Sequence, residues 1–219
     1  MADMKTPGRG DRRWLVIMAK EPRCGAVKTR LARDIGSVAA TGFYRRTLAN
    51  VSLRVANDPR WRTFIAVTPD SAVFSPIWTR GCAPIPQRGG DLGARMQRLF
   101  DRLPPGPAVI IGTDIPEITH ERIAAAFRAL GPNDAVLGPG DDGGYWLVGL
   151  RRTPKVPAIF SNIRWSSKDT LADTLANLQG MRVALLDPLA DADDGRGYRR
   201  LAPAGSRLVL PARWKAEGG

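Results

Sequence analysis

Trp14-Leu-Val-Ile-Met-Ala-Lys20 runs directly into Glu21-Pro-Arg-Cys-Gly25-Ala-Val-Lys28-Thr29-Arg30-Leu31. A short apolar run of this kind reads as a buried strand. The loop behind it is punctuated by Pro22 and Gly25 and carries Arg23, Lys28, Arg30 and Arg33. A first strand that empties into a cationic, glycine-containing loop is a common way for an α/β protein to receive phosphates. A nucleotide is therefore the first ligand to consider.

Outward from this stretch, apolar runs alternate with amphipathic ones. Residues 38–56 carry Phe43, Tyr44, Leu48, Val51 and Val55 at helical spacing, with Ser37 at the expected N-cap. Strands are expected at 63–68, 83–86, 107–112, 134–137, 145–150 and 182–186. Helices are expected at 92–103, from the cap Thr119 to 130, and at 167–178. Strands separated by helices predict a single doubly wound, mostly parallel sheet with helices on both faces. The expected organisation is a flexible basic arm at 1–12, one nucleotide-binding domain at 13–205 and a tail at 206–219.

The chain has 219 residues, 43% of them hydrophobic, enough to build one real core. No apolar run approaches the roughly 18 residues of a membrane-spanning helix. The N-terminus lacks an apolar stretch of signal-peptide type, and Cys24 and Cys82 make no disulfide framework, so a reducing cytoplasm is expected. A formal charge of +12 attracts anions. The arginines are dispersed singly and in pairs, which argues against a nucleic-acid partner. His120 is the single histidine, so a Ser-His-Asp triad or a histidine-bound zinc site is not expected.

In doubly wound sheets, ligands sit at the carboxyl ends of the strands. Asp114 follows a strand there, in Gly112-Thr113-Asp114-Ile115-Pro116. It reads either as a magnesium ligand, since magnesium takes one or two carboxylates and fills its other positions with phosphate oxygens and water, or as a cap for the turn before Thr119. Asp191-Ala192-Asp193-Asp194 is either the source of a second ligand or an exposed acidic turn. Lys28 and Arg30 either bind phosphates and spread their charge or form a solvated basic loop. The lysine loop is not a Walker A motif, because Val27 stands where that motif requires glycine. Gly89-Gly90-Asp91 opens a helix whose amides can face a base or phosphate. Gly138-Pro-Gly-Asp-Asp142-Gly143-Gly144 has the glycines that let backbone approach a ligand. Taken alone, either glycine segment reads first as a structural turn, and Tyr145 and Trp146 read as core or hairpin aromatics.

Ala19-Lys20-x-Pro22-x-x-Gly25-x-x-Lys28-Thr29-Arg30-Leu31, Gln87-x-Gly89-Gly90-Asp91-Leu92-Gly93, Gly112-Thr113-Asp114-x-Pro116 and Gly138-Pro-x-x-Asp142-Gly143-Gly144-Tyr145 follow one another in this order. Together they resemble a bacterial branch of the nucleotide-diphospho-sugar transferase superfamily, the GT-A fold, whose members are usually labelled glycosyltransferases. Molybdenum-cofactor and phospholactate guanylyltransferases are neighbours in that superfamily. The resemblance implies nucleotide phosphates at Lys28 and Arg30, with Gly25, Gly89, Gly90 and Asp91 also on the nucleotide. It implies substrate contacts at Asp142, Gly143 and Gly144, and magnesium or manganese at Asp114 and Asp193. The late Asp-x-Asp-Thr-Pro pattern of the relatives aligns with Asp191-Ala-Asp193, where Asp194 and Gly195 replace the Thr and Pro.

The expected activity is a magnesium-dependent glycosyl or nucleotidyl transfer to a small-molecule acceptor. The donor is a nucleotide sugar or nucleoside triphosphate, with Lys28, Arg30 and Asp114 as the catalytic set. A protein of the same fold that binds nucleotides without turnover is the alternative.

Overall fold

The computed structural model describes residues 12–153, 155–190 and 197–199. The order of elements is β1 Trp14–Lys20, α1 Thr29–Ile35, α2 Ser37–Ala56, β2 Arg62–Thr68, β3 Cys82–Pro86, α3 Leu92–Arg102, β4 Ala108–Ile111, α4 His120–Ala129, β5 Ala135–Pro139, β6 Tyr145–Leu150, α5 Thr170–Ala176 and β7 Val183–Leu185. The sheet runs β3-β2-β1-β4-β6-β5-β7. β6 is antiparallel to both β4 and β5, and the remaining pairs are parallel. The expected mostly parallel sheet is present, with one reversed strand.

β1 lies inside the sheet, between β2 and β4, and its side chains alternate between two cores. Leu15, Ile17 and Ala19 pack with Tyr44, Leu48, Val51 and Val55 of α2 and with Ile123 and Phe127 of α4. Trp14 and Val16 pack on the other face with Met96, Leu99 and Phe100 of α3. Each such fully buried apolar side chain contributes about 1.5–3 kcal/mol. From β1 the chain winds outward through β2 and β3, then returns to place β4 on the opposite side of β1. The carboxyl ends of β1 and β4 therefore flank the switch point of the sheet, where such folds open a crevice.

Two sequence expectations fall within one residue of the observed caps. Thr119 caps α4, its side chain accepting from Arg122 N, and Asp91 caps α3 by accepting from Ala94 N at 2.7 Å. At α2 the N-cap is Gly36, with φ 85°, and Ser37 is the first helical residue. The basic stretch after Lys28, read from sequence as loop, contains the helix α1. Residue 12 is the described part of the basic arm. Residues 1–11, and with them the tail from 206, lie outside the described residues. Among the described residues, no helix is long and apolar enough to cross a membrane.

Candidate functional site

A cleft of about 430 Å³ opens at the ends of β1 and β4. Its walls come from Met18–Lys20 of β1, the Val27–Arg30 segment, Tyr44 of α2, Gln87 behind β3, the first turns of α3, residues 110–114, and the start of β6. Among the described residues, the charged side chains on these walls are Lys20, Lys28, Arg30 and Arg95 against a single carboxylate, Asp114.

Lys28 and Asp114 are presented in the same way, each between buried anchors. Val27 is 3% exposed and Leu31 fully buried, and they hold the start of α1 against the core with Lys28 and Arg30 between them. Thr113 and Ile115 bracket Asp114 and are likewise buried. Lys28 is the N-cap of α1 and adopts the left-handed conformation, φ 48° and ψ 45°, which few residues other than glycine, Asn and Asp take. Its Nζ lies 2.9 Å from Asp114 Oδ1. The lysine side chain is only 4% exposed and that of Asp114 is 48% exposed, so the ammonium is fixed in the wall while the carboxylate faces the opening.

The phenol of Tyr44 links one of these supports, Thr113, to the end of β1. Lys20 N–H donates to its hydroxyl at 2.8 Å, and the hydroxyl donates back to Lys20 O at 3.1 Å. The Thr113 hydroxyl donates to it at 3.3 Å. One side chain thus joins the end of β1 to the turn that carries Asp114. Burial, with the nearby Asp114 charge adding to it, pushes the phenol up to about 12.

Gln87 is 4% exposed, and its amide nitrogen donates to Ala19 O at 3.1 Å and Ala66 O at 2.8 Å. Because both partners are carbonyls, the nitrogen must face the strand ends, which leaves Oε1 as the acceptor end of this amide. From α3, Arg95 Nε donates to Gly90 O at 2.8 Å, which steadies a guanidinium at the cleft.

Of the residues singled out from sequence, Lys28, Arg30 and Asp114 meet in this cleft. Gly25 lies in the preceding turn with φ 78°, outside the wall. Gly89, Gly90 and Asp91 lead into α3 beside the cleft without lining it, and the Asp91 carboxylate is engaged as the helix cap. Asp142 Oδ1 accepts from Gly144 N at 2.8 Å, and Gly143, with φ 86°, packs against the backbone of Lys168. These three residues shape the hairpin between β5 and β6 and are not on the cleft wall. Asp193 lies outside the described residues. Tyr44, Gln87 and Arg95 are wall residues to which sequence reasoning gave no role in the site.

Among the described residues, no three His, Cys, Asp or Glu side chains cluster as a ready-made metal cage. The donor set at Asp114 is one half-exposed carboxylate in a cationic cleft. That suits a hard dication bound through a single carboxylate and the ligand's own phosphates.

Residues 47–167, more than half of the chain, match the model of a family described as an uncharacterized protein conserved in bacteria, DUF2064. A solved structure from Desulfovibrio desulfuricans G20, provisionally described as a nucleotide-diphospho-sugar transferase, is 28% identical with a TM-score of 0.75, covering 83% of this chain and 82% of that one. Rv0371c from Mycobacterium tuberculosis H37Rv, solved with manganese, is 15% identical with a TM-score of 0.52, covering 89% of this chain and 100% of that one. CMP:2-keto-3-deoxy-manno-octonic acid synthetase, solved with CTP, is 13% identical with a TM-score of 0.52, covering 86% of this chain and 96% of that one. The last two share the fold. No curated protein matches the chain. The fold is that of the nucleotide-diphospho-sugar transferases.

Proposed function

The chain belongs to the DUF2064 family of bacterial proteins, and on that premise we propose that it is a transferase taking its donor group from a nucleoside triphosphate or nucleotide sugar. The observation that carries this reading is the Lys28–Asp114 pair, 2.9 Å apart at the switch point of the sheet, where the described wall residues hold four cations to one carboxylate. Such a cleft attracts a polyphosphate and offers it a fixed ammonium. The likeness to a synthetase solved with CTP and to a protein provisionally described as a nucleotide-diphospho-sugar transferase supports the same reading.

Lys28 and Arg30 hold the donor phosphates and neutralise the charge that develops on the leaving group. Gln87 Oε1 accepts from an N–H of the base, its orientation fixed by Ala19 and Ala66. Arg95 faces these groups from α3 and steadies the acceptor side. Asp114, joined by Asp193 as a second carboxylate, would hold magnesium or manganese, which would supply Lewis-acid neutralisation of phosphate oxygens. In nucleotidyl transfer an acceptor oxygen displaces pyrophosphate from the α-phosphorus. In glycosyl transfer the acceptor attacks the sugar carbon and a nucleoside diphosphate leaves. Two free cysteines, Cys24 and Cys82, suit work in a reducing cytoplasm.

The test is a thermal-shift screen of the full chain against nucleoside triphosphates and nucleotide sugars, with and without magnesium. A ligand of the native state raises the melting temperature by mass action. Product analysis with the stabilising ligand then separates pyrophosphate from nucleoside diphosphate. Stabilisation without any product indicates the non-catalytic binder, and no stabilisation by any nucleotide refutes the reading.

A further inference from the structure

The Lys28 ammonium holds Asp114 Oδ1 at 2.9 Å, on a stem that is 96% buried and so cannot swing freely into water. A dication bound to that carboxylate stands within a few ångströms of the ammonium. Among the described wall residues the other charged side chains, Lys20, Arg30 and Arg95, are all positive, so these walls repel a free cation. An anionic chelate meets attraction instead, and its phosphate oxygens give Lys28 a new partner at the moment Asp114 is taken from it.

We propose that Lys28 is the resident cation of Asp114 and that the cleft admits a divalent cation only as the chelate of a polyphosphate, never as the free ion. Rested on the transferase reading, this names the ligand as a metal–polyphosphate complex that enters as one unit and exchanges the lysine from carboxylate to phosphate. Removing the lysine charge then has opposite effects on the two ligands. The free cation gains affinity, and the chelate loses it.

Equilibrium dialysis of the full chain against manganese alone, and against manganese with pyrophosphate, tests this. Lys28→Met is expected to bind manganese alone about tenfold or more tighter than the unsubstituted chain, because one positive charge beside a dication is gone. It is expected to bind the manganese–pyrophosphate complex more weakly. Adding Asp114→Asn to Lys28→Met should abolish the gain. Lys28→Gln, which keeps a polar side chain, serves if Lys28→Met lacks a cooperative unfolding transition. A lysine variant that binds manganese no tighter than the unsubstituted chain, or a gain that survives Asp114→Asn, overturns the exchange. Nucleotide stabilisation of the unsubstituted chain is read separately, so either idea can fail while the other stands.

Discussion

Replacing Tyr44 by Phe keeps the ring that packs between α2 and β1 and removes one oxygen. That oxygen serves three hydrogen bonds, to Lys20 N, Lys20 O and the Thr113 hydroxyl. Thr113 is 2% exposed, so its hydroxyl is left buried without its acceptor, whereas water can reach the main chain of the exposed Lys20. A buried unpaired group costs about 1–3 kcal/mol and each of the two further net bonds about 0.5–1.5 kcal/mol, which together give about 2–6 kcal/mol. At roughly 2–4 °C per kcal/mol for a domain of this size, the melting temperature falls by about 4–24 °C in calorimetry. The pH dependence supplies a second signature. A phenol raised to about 12 in the folded state, against about 10 unfolded, favours the folded state fully below pH 10. That contribution disappears as pH rises from 10 towards 12, and Tyr44→Phe should lack this alkaline loss. A variant with an unchanged melting temperature and an unchanged alkaline slope refutes the bridging role.

Gly93→Ala sets an opposite sign against ordinary helix propensity. Its new Cβ would stand 2.7 Å from Trp165 Cζ2 and 3.0 Å from Phe160 Cβ, so overpacking of about 1–3 kcal/mol outweighs the gain of up to about 1 kcal/mol that Ala brings to an open helical site. Calorimetry should report a lower melting temperature, and a rise contradicts the packing. Asp173 is held down to about 2 by the Arg164 guanidinium, against an ordinary value of 3.8. A depressed carboxyl stabilises the fold above its unfolded value, so acid titration should show stability lost as pH falls from about 4 to 2. Arg164→Met should flatten that loss when unfolding is followed by circular dichroism, and an unchanged acid limb counts against the pairing.

Much of the architecture is legible because it rests on local signals. The apolar run of β1, the capping carboxylate of Asp91 and the capping hydroxyl of Thr119 each act over a few residues. The helix α1 escapes such a reading because its N-cap position is filled by Lys28 in a left-handed conformation without a side-chain hydrogen bond, and Thr29 stands one residue inside the helix. The reversal of β6 depends on a hairpin closing through Asp142 and Gly143 rather than on strand composition. At the cleft, the charges of Lys28, Arg30 and Asp114 stand out in the sequence because their neighbours are apolar or fixed turns. Tyr44 does not, since its spacing puts it on the apolar face of α2. Its hydroxyl meets residues 24 and 69 positions away only after the sheet has formed. The amide of Gln87 is equally silent, because its two carbonyl partners belong to different strands.

The most direct test of the transferase reading is nucleotide binding at the carboxylate of the cleft. The melting temperature of the full chain and of Asp114→Asn is measured with the best stabilising nucleotide, with and without magnesium. The expected result is a magnesium-dependent rise in the unsubstituted chain that vanishes in Asp114→Asn, while the two ligand-free proteins melt cooperatively. An equal magnesium-dependent rise in both proteins contradicts the assignment of the nucleotide to this cleft.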